Sequence, residues 1–240
     1  MKKIKIAIQG ELGSYSHIAT ENLYNGAEIK TCATFEETFK QAYNDPDYKI
    51  VIPIENSLAG RVADIHYLLP KYKPQIHGEH FQTVEHNLLC KKEANFKDIK
   101  YVRSHAQAIG QCQNLINKKK FKQIISADTA GSAKDLAEGN DKSIAAIASE
   151  LSAKIYNLKI LERNVEDEKG NVTRFLVMGK NIEQPEFSDK KKFITSCIFR
   201  VKSEPSALYK CLGGFATNQV NLTKLESFSV KNTFEQANFY

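Results

Sequence analysis

The sequence has 240 residues, 42% of them hydrophobic and 26% charged, with 34 Lys and Arg against 28 Asp and Glu for a formal charge of +6. This is ordinary globular composition, which excludes disorder, collagen and coiled coil, and a chain this long buries roughly 70–75% of its unfolded surface without a metal or disulfide staple. The five cysteines are odd in number and never closer than 14 positions, which excludes a CxxC redox or zinc pair and argues against a disulfide framework, so a reducing, cytoplasmic setting is expected.

The basic start, Met1-Lys2-Lys3-Ile4-Lys5-Ile6, lacks an apolar stretch and cleavage site; it shows no export signal and leads into a strand over 5–8. A helix is expected over about 16–24. Thr34-Phe35-Glu36-Glu37 reads as a capping box opening a helix with Phe35, Phe39 and Tyr43 on one face. A strand at 50–54 precedes a helix through 58–69 that Pro70 ends. Strands follow at 76–81, 83–90 and 99–102, the last running into a helix from about His105 with Ile109, Cys112, Leu115 and Ile116 facing inward. Then come a strand at 124–125, a helix at 129–137, a strand at 143–147, a helix at 149–156 and a strand at 173–178. Such alternation implies parallel sheet covered by helices. The stretch 181–192 reads as a linker. A strand at 193–199, a helix at 206–217, a strand at 222–228 and a third beginning near Ala237 then start a small α+β domain.

No apolar run approaches the roughly 20 residues of a membrane span, so no membrane partner is expected. The lysine runs 118–120 and 190–192 lack interleaved aromatics and read as solvated surface, so no nucleic-acid partner is expected either. The six histidines form no i, i+4 pair and there is no HExxH, GxGxxG, Walker or GxSxG motif; neither a metal nor a cofactor is expected.

Four strand-to-helix junctions concentrate hydroxyl and amide residues: Gly13-Ser14-Tyr15-Ser16-His17, Glu55-Asn56-Ser57, Ser104-His105-Ala106-Gln107 and Ser126-Ala127-Asp128-Thr129. Each has a plain reading as a helix cap. Together they suit a small anionic ligand, because helix N-termini beyond the carboxyl ends of strands offer free N–H groups and partial positive charge. Arg174, at the start of an apolar strand, is either a surface charge or a carboxylate clamp, and Thr173 beside it is also an ordinary β-branched strand residue.

In this order, these residues resemble the prephenate dehydratase family. The resemblance rests on 10–17, on Pro53-Ile54-Glu55-Asn56-Ser57 with Gly60 and Val62, on Ser104-His105-Ala106-Gln107-Ala108 with Gln111 and Cys112, on 145–149, and on Asn171-Val172-Thr173-Arg174-Phe175. Ala106 stands where the family usually has Pro. The resemblance implies an α/β catalytic domain over 1–180 with a bilobal fold like the type II periplasmic binding proteins. One lobe would hold about 1–75 and 176–180, the other about 76–175. It implies a lyase that removes water and carbon dioxide from prephenate, giving phenylpyruvate for phenylalanine biosynthesis. Thr173, Glu55, Asn56 and Gln107 would be catalytic, and Ser16, Ser57, Ser104, His105, Thr129, Arg174 and Phe175 would bind substrate. The alternatives are an arogenate dehydratase and a non-catalytic sensor of an aromatic acid.

Residues 193–240 resemble a truncated, ferredoxin-like ACT regulatory domain, with Phe228-Ser229 where many members have Arg-Pro and without the family's second helix and last strand. An L-phenylalanine site would fall on Ser206, Ala207, Leu208, Asn221, Leu222, Glu226 and Ser227. A sheet missing a strand would expose an edge and part of its core. A homodimer or tetramer would follow the family.

Overall fold

A computed structural model describes residues 3–180, 186, 188–190, 192–229 and 237–240. The chain divides into two compact units, 1–183 and 184–240.

The first unit begins with β1 (Lys5–Gln9), α1 (Tyr15–Leu23), β2 (Glu28–Cys32), α2 (Phe35–Asn44), β3 (Tyr48–Asn56), β4 (Gly60–Arg61), α3 (Ala63–Tyr72) and β5 (Gln75–Thr83). It continues through β6 (Asn87–Cys90), β7 (Tyr101–His105), α4 (Ala106–Gly110), α5 (Gln113–Lys119), β8 (Lys122–Ser126) and α6 (Thr129–Glu138). It closes with β9 (Ile144–Ala148), α7 (Glu150–Ile155), β10 (Lys159–Glu162) and β11 (Val172–Gly179). Two sheets result, ordered β2-β1-β3-β11-β5 with β4 on β3, and β10-β6-β9-β7-β8. β1 pairs parallel with β2 and β3, and β7 pairs parallel with β8 and β9, as the alternating pattern requires.

The first lobe's core packs Ile6, Ile8, Val51, Phe175 and Val177 against Ala19 of α1. The second lobe's core gathers Leu88, Val102, Ile147 and the inward face predicted for the 105–119 region, Ile109, Cys112, Leu115 and Ile116. That region is two helices, broken at Gln111 and Cys112. On α2, Glu37 N–H donates to Thr34 Oγ (3.1 Å), while Glu37 Oε2 accepts from Ala33 N–H (3.0 Å). Pro70 does not end its helix: α3 continues to Tyr72 and stops at left-handed Lys73 (φ 47°), whose N–H returns to Leu69 O.

The lobe boundaries differ from those expected. β5 and the whole of β11 belong to the first sheet, where β11 lies between β3 and β5, antiparallel to both. The second lobe is therefore β6 through β10, and the chain crosses between lobes after Thr83 and again before Val172. The two crossings are bonded to each other, with Val84 N–H on Asn171 O (2.8 Å) and Val165 N–H on His86 O (2.8 Å).

The expected linker, 181–192, falls largely outside the described residues. The second unit holds β12 (Phe199–Arg200), α8 (Ala207–Thr217), β13 (Ser227–Ser229) and β14 (Ala237–Phe239), in a sheet ordered β12-β14-β13. Its first strand is two residues, far shorter than the expected 193–199. Among the described residues no helix is long and apolar enough to cross a membrane.

Candidate active site

A cleft of about 460 Å³ opens between the two lobes of the first unit, within the size range of small-molecule sites. Its floor is the row Gly60–Asn56–Thr173, directly opposed residues of β4, β3 and β11 that share one face of the sheet. Asn56 is held by the hairpin it starts: its Oδ1 accepts from the N–H groups of Leu58 (3.0 Å) and Ala59 (2.8 Å). Its Nδ2 is thereby turned to Thr173 Oγ (2.9 Å) and Asn171 Oδ1 (2.6 Å). Thr173, 8% exposed, so accepts one hydrogen bond while its own proton is left to face the cleft.

The second lobe supplies the opposite wall. His105 caps α4, its Nδ1 accepting from Gln107 N–H (3.3 Å), which leaves the proton of a neutral ring on Nε2. Both His105 and Gln107 line the cleft, as do Tyr15 and Thr129, the first residues of α1 and α6. Two helix N-termini thus face the space from different lobes, each a region of partial positive charge. Arg61 lies exposed at the rim. Among the described residues no three His, Cys, Asp or Glu side chains converge as a metal site.

Of the site residues expected from sequence, the structure brings Thr173, Asn56, Gln107, His105 and Thr129 together and leaves the others apart. Glu55 and Arg174 oppose each other across β3 and β11, one position from Asn56 and Thr173, and face away from the cleft. Arg174 spends both Nε and Nη2 on Glu79 Oε2, each at 2.7 Å. Ser57 braces the hairpin, accepting from Val172 N–H (2.9 Å) and donating to Gly170 O (3.4 Å). Ser104 is fully buried with its hydroxyl on Ile147 O (2.7 Å), Ser16 is buried within α1, and Phe175 is core.

The effector residues expected in the second unit sit around α8 and β13. Ser206 precedes α8 in a left-handed conformation (φ 67°) with no side-chain cap, and Ala207 and Leu208 begin the helix. Asn221 and Leu222 are exposed, and Glu226 pairs its backbone with Tyr240 (2.8 and 2.9 Å) just before Ser227.

Sequence reasoning missed Tyr15, His86, Gln111 and Asn171 as a connected group. Tyr15 donates to Glu85 O (2.5 Å) and lies 3.3 Å from His86 Nδ1; His86 Nε2 lies 3.0 Å from Gln111 Oε1, which accepts from Asn171 Nδ2 at 2.9 Å. Burial holds the Tyr15 phenol well above its ordinary pKa, with Glu166 adding to the effect, so it stays a donor. Burial lowers the His86 pKa against the opposing pull of Gln111 and Glu166. Only the motif positions of Tyr15, Gln111 and Asn171 hinted at this group; nothing near His86 marked it.

The lobes also meet on a second line. Gly13 O accepts from Ser149 Oγ (2.5 Å) and Ser152 Oγ (3.0 Å), Tyr156 donates to Leu12 O (2.9 Å), and Lys134 pairs with Glu11 (3.2 Å).

The comparisons with known proteins converge on one family. A family model described as prephenate dehydratase matches residues 6–183. A bifunctional N-acyl-homoserine lactone acylase/prephenate dehydratase of Komagataeibacter europaeus is 38% identical over 237 residues, covering 98% of this chain and 83% of that protein. Arogenate dehydratase/prephenate dehydratase 2 of Arabidopsis thaliana, chloroplastic, is 38% identical over 225 residues, and the match spans 94% of this chain but only 58% of that relative. The crystal structure of an Arthrobacter aurescens prephenate dehydratase in complex with L-Phe shares the fold, with a TM-score of 0.85 at 22% identity over 98% of this chain and 79% of that one.

Proposed function

The chain belongs to the prephenate dehydratase family, enzymes of aromatic amino acid biosynthesis, and we propose that it acts as a carbon–oxygen lyase on prephenate itself. Loss of carbon dioxide and of the C4 hydroxide yields phenylpyruvate, and aromatisation supplies the driving force. The protein has two tasks: easing departure of the hydroxyl and holding a dianion in register.

One observation carries the reading. Asn56 Nδ2 fills an acceptor position of Thr173 Oγ at 2.9 Å, so the threonine proton is free to be donated into the cleft. A hydrogen bond from it to the C4 oxygen strengthens as negative charge develops there, which is transition-state stabilisation rather than ground-state binding. The His105 Nε2–H, Gln107 and the N-terminal ends of α1 and α6 suit the two carboxylates. Glu55 and Arg174 face the other side of the sheet and take no part in this account.

The acylase named in the bacterial relative needs a nucleophile activated by a base. Thr173 is bonded to an amide instead, which favours the dehydratase reading. The second unit, with one helix and a three-stranded sheet among its described residues, supports its assignment as a partial ACT domain that binds L-phenylalanine. Binding of L-phenylalanine by calorimetry tests that part, and light scattering tests a homodimer.

The central test is phenylpyruvate formation from prephenate by the purified chain and by Thr173→Val. The variant should lose about 10²-fold or more in kcat, the scale for a lost transition-state donor, with KM little changed. A near wild-type kcat refutes the assignment of Thr173. Higher kcat/KM on arogenate would reassign the substrate, and saturable binding without turnover would make the protein a sensor.

A further inference from the structure

From Asn56 back to His86 the hydrogen bonds behind Thr173 have only one consistent direction. The N–H groups of Leu58 and Ala59 fix Asn56 Oδ1, so its NH2 faces Asn171 Oδ1 and Thr173. Asn171 Oδ1 is thereby an acceptor, and its NH2 faces Gln111 Oε1 at 2.9 Å. That oxygen also faces His86 Nε2 at 3.0 Å. An amide oxygen only accepts, so a neutral His86 carries its proton on Nε2, and its bare Nδ1 lies 3.3 Å from the Tyr15 oxygen without a hydrogen bond, the Tyr15 proton going to Glu85 O.

We propose that His86 is a positioning residue for the reaction at Thr173. Its Nε2–H holds the Gln111 oxygen turned toward Asn171, and so keeps Asn171 seated against Asn56, the amide bonded to Thr173. If Gln111 rotates, its NH2 meets the NH2 of Asn171. Asn171 cannot turn in response without meeting the NH2 of Asn56, and Asn56 is held by two backbone donors. The mismatch therefore cannot be relieved by turning, only by displacing Asn171 from Asn56, the amide bonded to Thr173 three side chains beyond Gln111. His86 is well placed to act as the anchor. It is 3% exposed, its backbone N–H is held by Glu166 Oε2 (2.9 Å), and its carbonyl accepts from Val165 (2.8 Å), so the ring sits on the crossing segments that join the lobes.

The inference rests on the reading of Thr173 as donor, but its first test does not. Imidazole ¹⁵N shifts of the wild-type protein should show His86 as the Nε2–H tautomer; an Nδ1–H tautomer overturns the chain. The second test is kinetic. His86→Asn places its amide near Nδ1 and cannot reach Gln111, whereas His86→Gln places an NH2 near Nε2. The Asn variant should lose about tenfold or more in kcat, the order expected for a small misplacement of a reacting group, with KM held within about threefold. The Gln variant should recover most of that loss. Unchanged kcat in the Asn variant, or equal loss in both, overturns the proposal. Inactivity of the wild-type chain on both prephenate and arogenate would instead fault the reading of the cleft, and the tautomer would still judge the chain.

Discussion

Replacing Gly13 by alanine isolates the contact that ties the lobes together away from the crossings. Gly13 has φ +91°, where an L side chain costs about 1–2 kcal/mol. An added Cβ would also lie 2.8 Å from Ser152 Cα and 2.5 Å from Ser152 Oγ. The backbone of α7 cannot swing aside as a side chain can, so the lobes must part slightly, at about 1–3 kcal/mol for overpacking. Gly13 O would then draw away from the two serine hydroxyls, bonds worth about 1 kcal/mol each. Gly26 provides the control: its φ is +76° but nothing lies within 4 Å of its would-be Cβ. Gly13→Ala is expected to lower stability by about 3–5 kcal/mol and Gly26→Ala by about 1–2 kcal/mol, read from urea unfolding by far-UV circular dichroism. Equal losses in the two variants would mean that the Gly13–α7 contact carries no interlobe energy.

Three further outcomes are expected. His17 and His86 are both buried with lowered pKa values, burial being the main cause. The unfolded chain therefore takes up protons first, and stability is full above the ordinary histidine value of about 6.5 and falls as pH drops below it; a urea midpoint unchanged between pH 7.5 and 5.5 would contradict this. Glu79→Gln should cost about 1–3 kcal/mol by stranding a mostly buried guanidinium, yet leave KM for prephenate within about threefold, while a large rise in KM would return Arg174 to the substrate. Cys32, Cys90 and Cys112 are buried with thiols pushed up by burial, whereas Cys197 is exposed. Titration with a chromogenic disulfide at pH 8 should modify Cys197 quickly and those three only after unfolding, and prompt reaction of Cys112 would deny its burial.

Three of the five converging residues, His105, Gln107 and Thr129, were legible because they lie where strands hand over to helices, whereas the expected junction at Asn56 is a hairpin to β4 and Thr173 lies within β11. The misplaced ones share a physical cause. Glu55 adjoins Asn56 on one strand, and Arg174 adjoins Thr173 on another, so the period of two sends one of each pair to the far face. That parity follows from the sequence once the strands are placed, but the choice of face needs the partner strand. The Glu79 partner of Arg174 is 95 positions away, and the polar chain joins His86 to Gln111 and Gln111 to Asn171 across gaps of 25 and 60. No local pattern encodes such meetings. Lobe assignment failed for a related reason: β5 and β11 are separated by the whole second lobe yet pair along nearly their full length.

That pairing bears on how the protein is made. β11 is the last strand of the first unit to leave the ribosome, and it occupies the slot between β3 and β5. The second lobe is one contiguous stretch of chain whose ends are drawn together, so it is able to close on its own during synthesis. The first lobe is not: until residues near 179 emerge, β3 and β5 each hold an open edge, the kind of surface on which nascent chains misassociate. Within the first unit birth order is thus inverted, the lobe that begins the sequence being the one whose sheet is completed last.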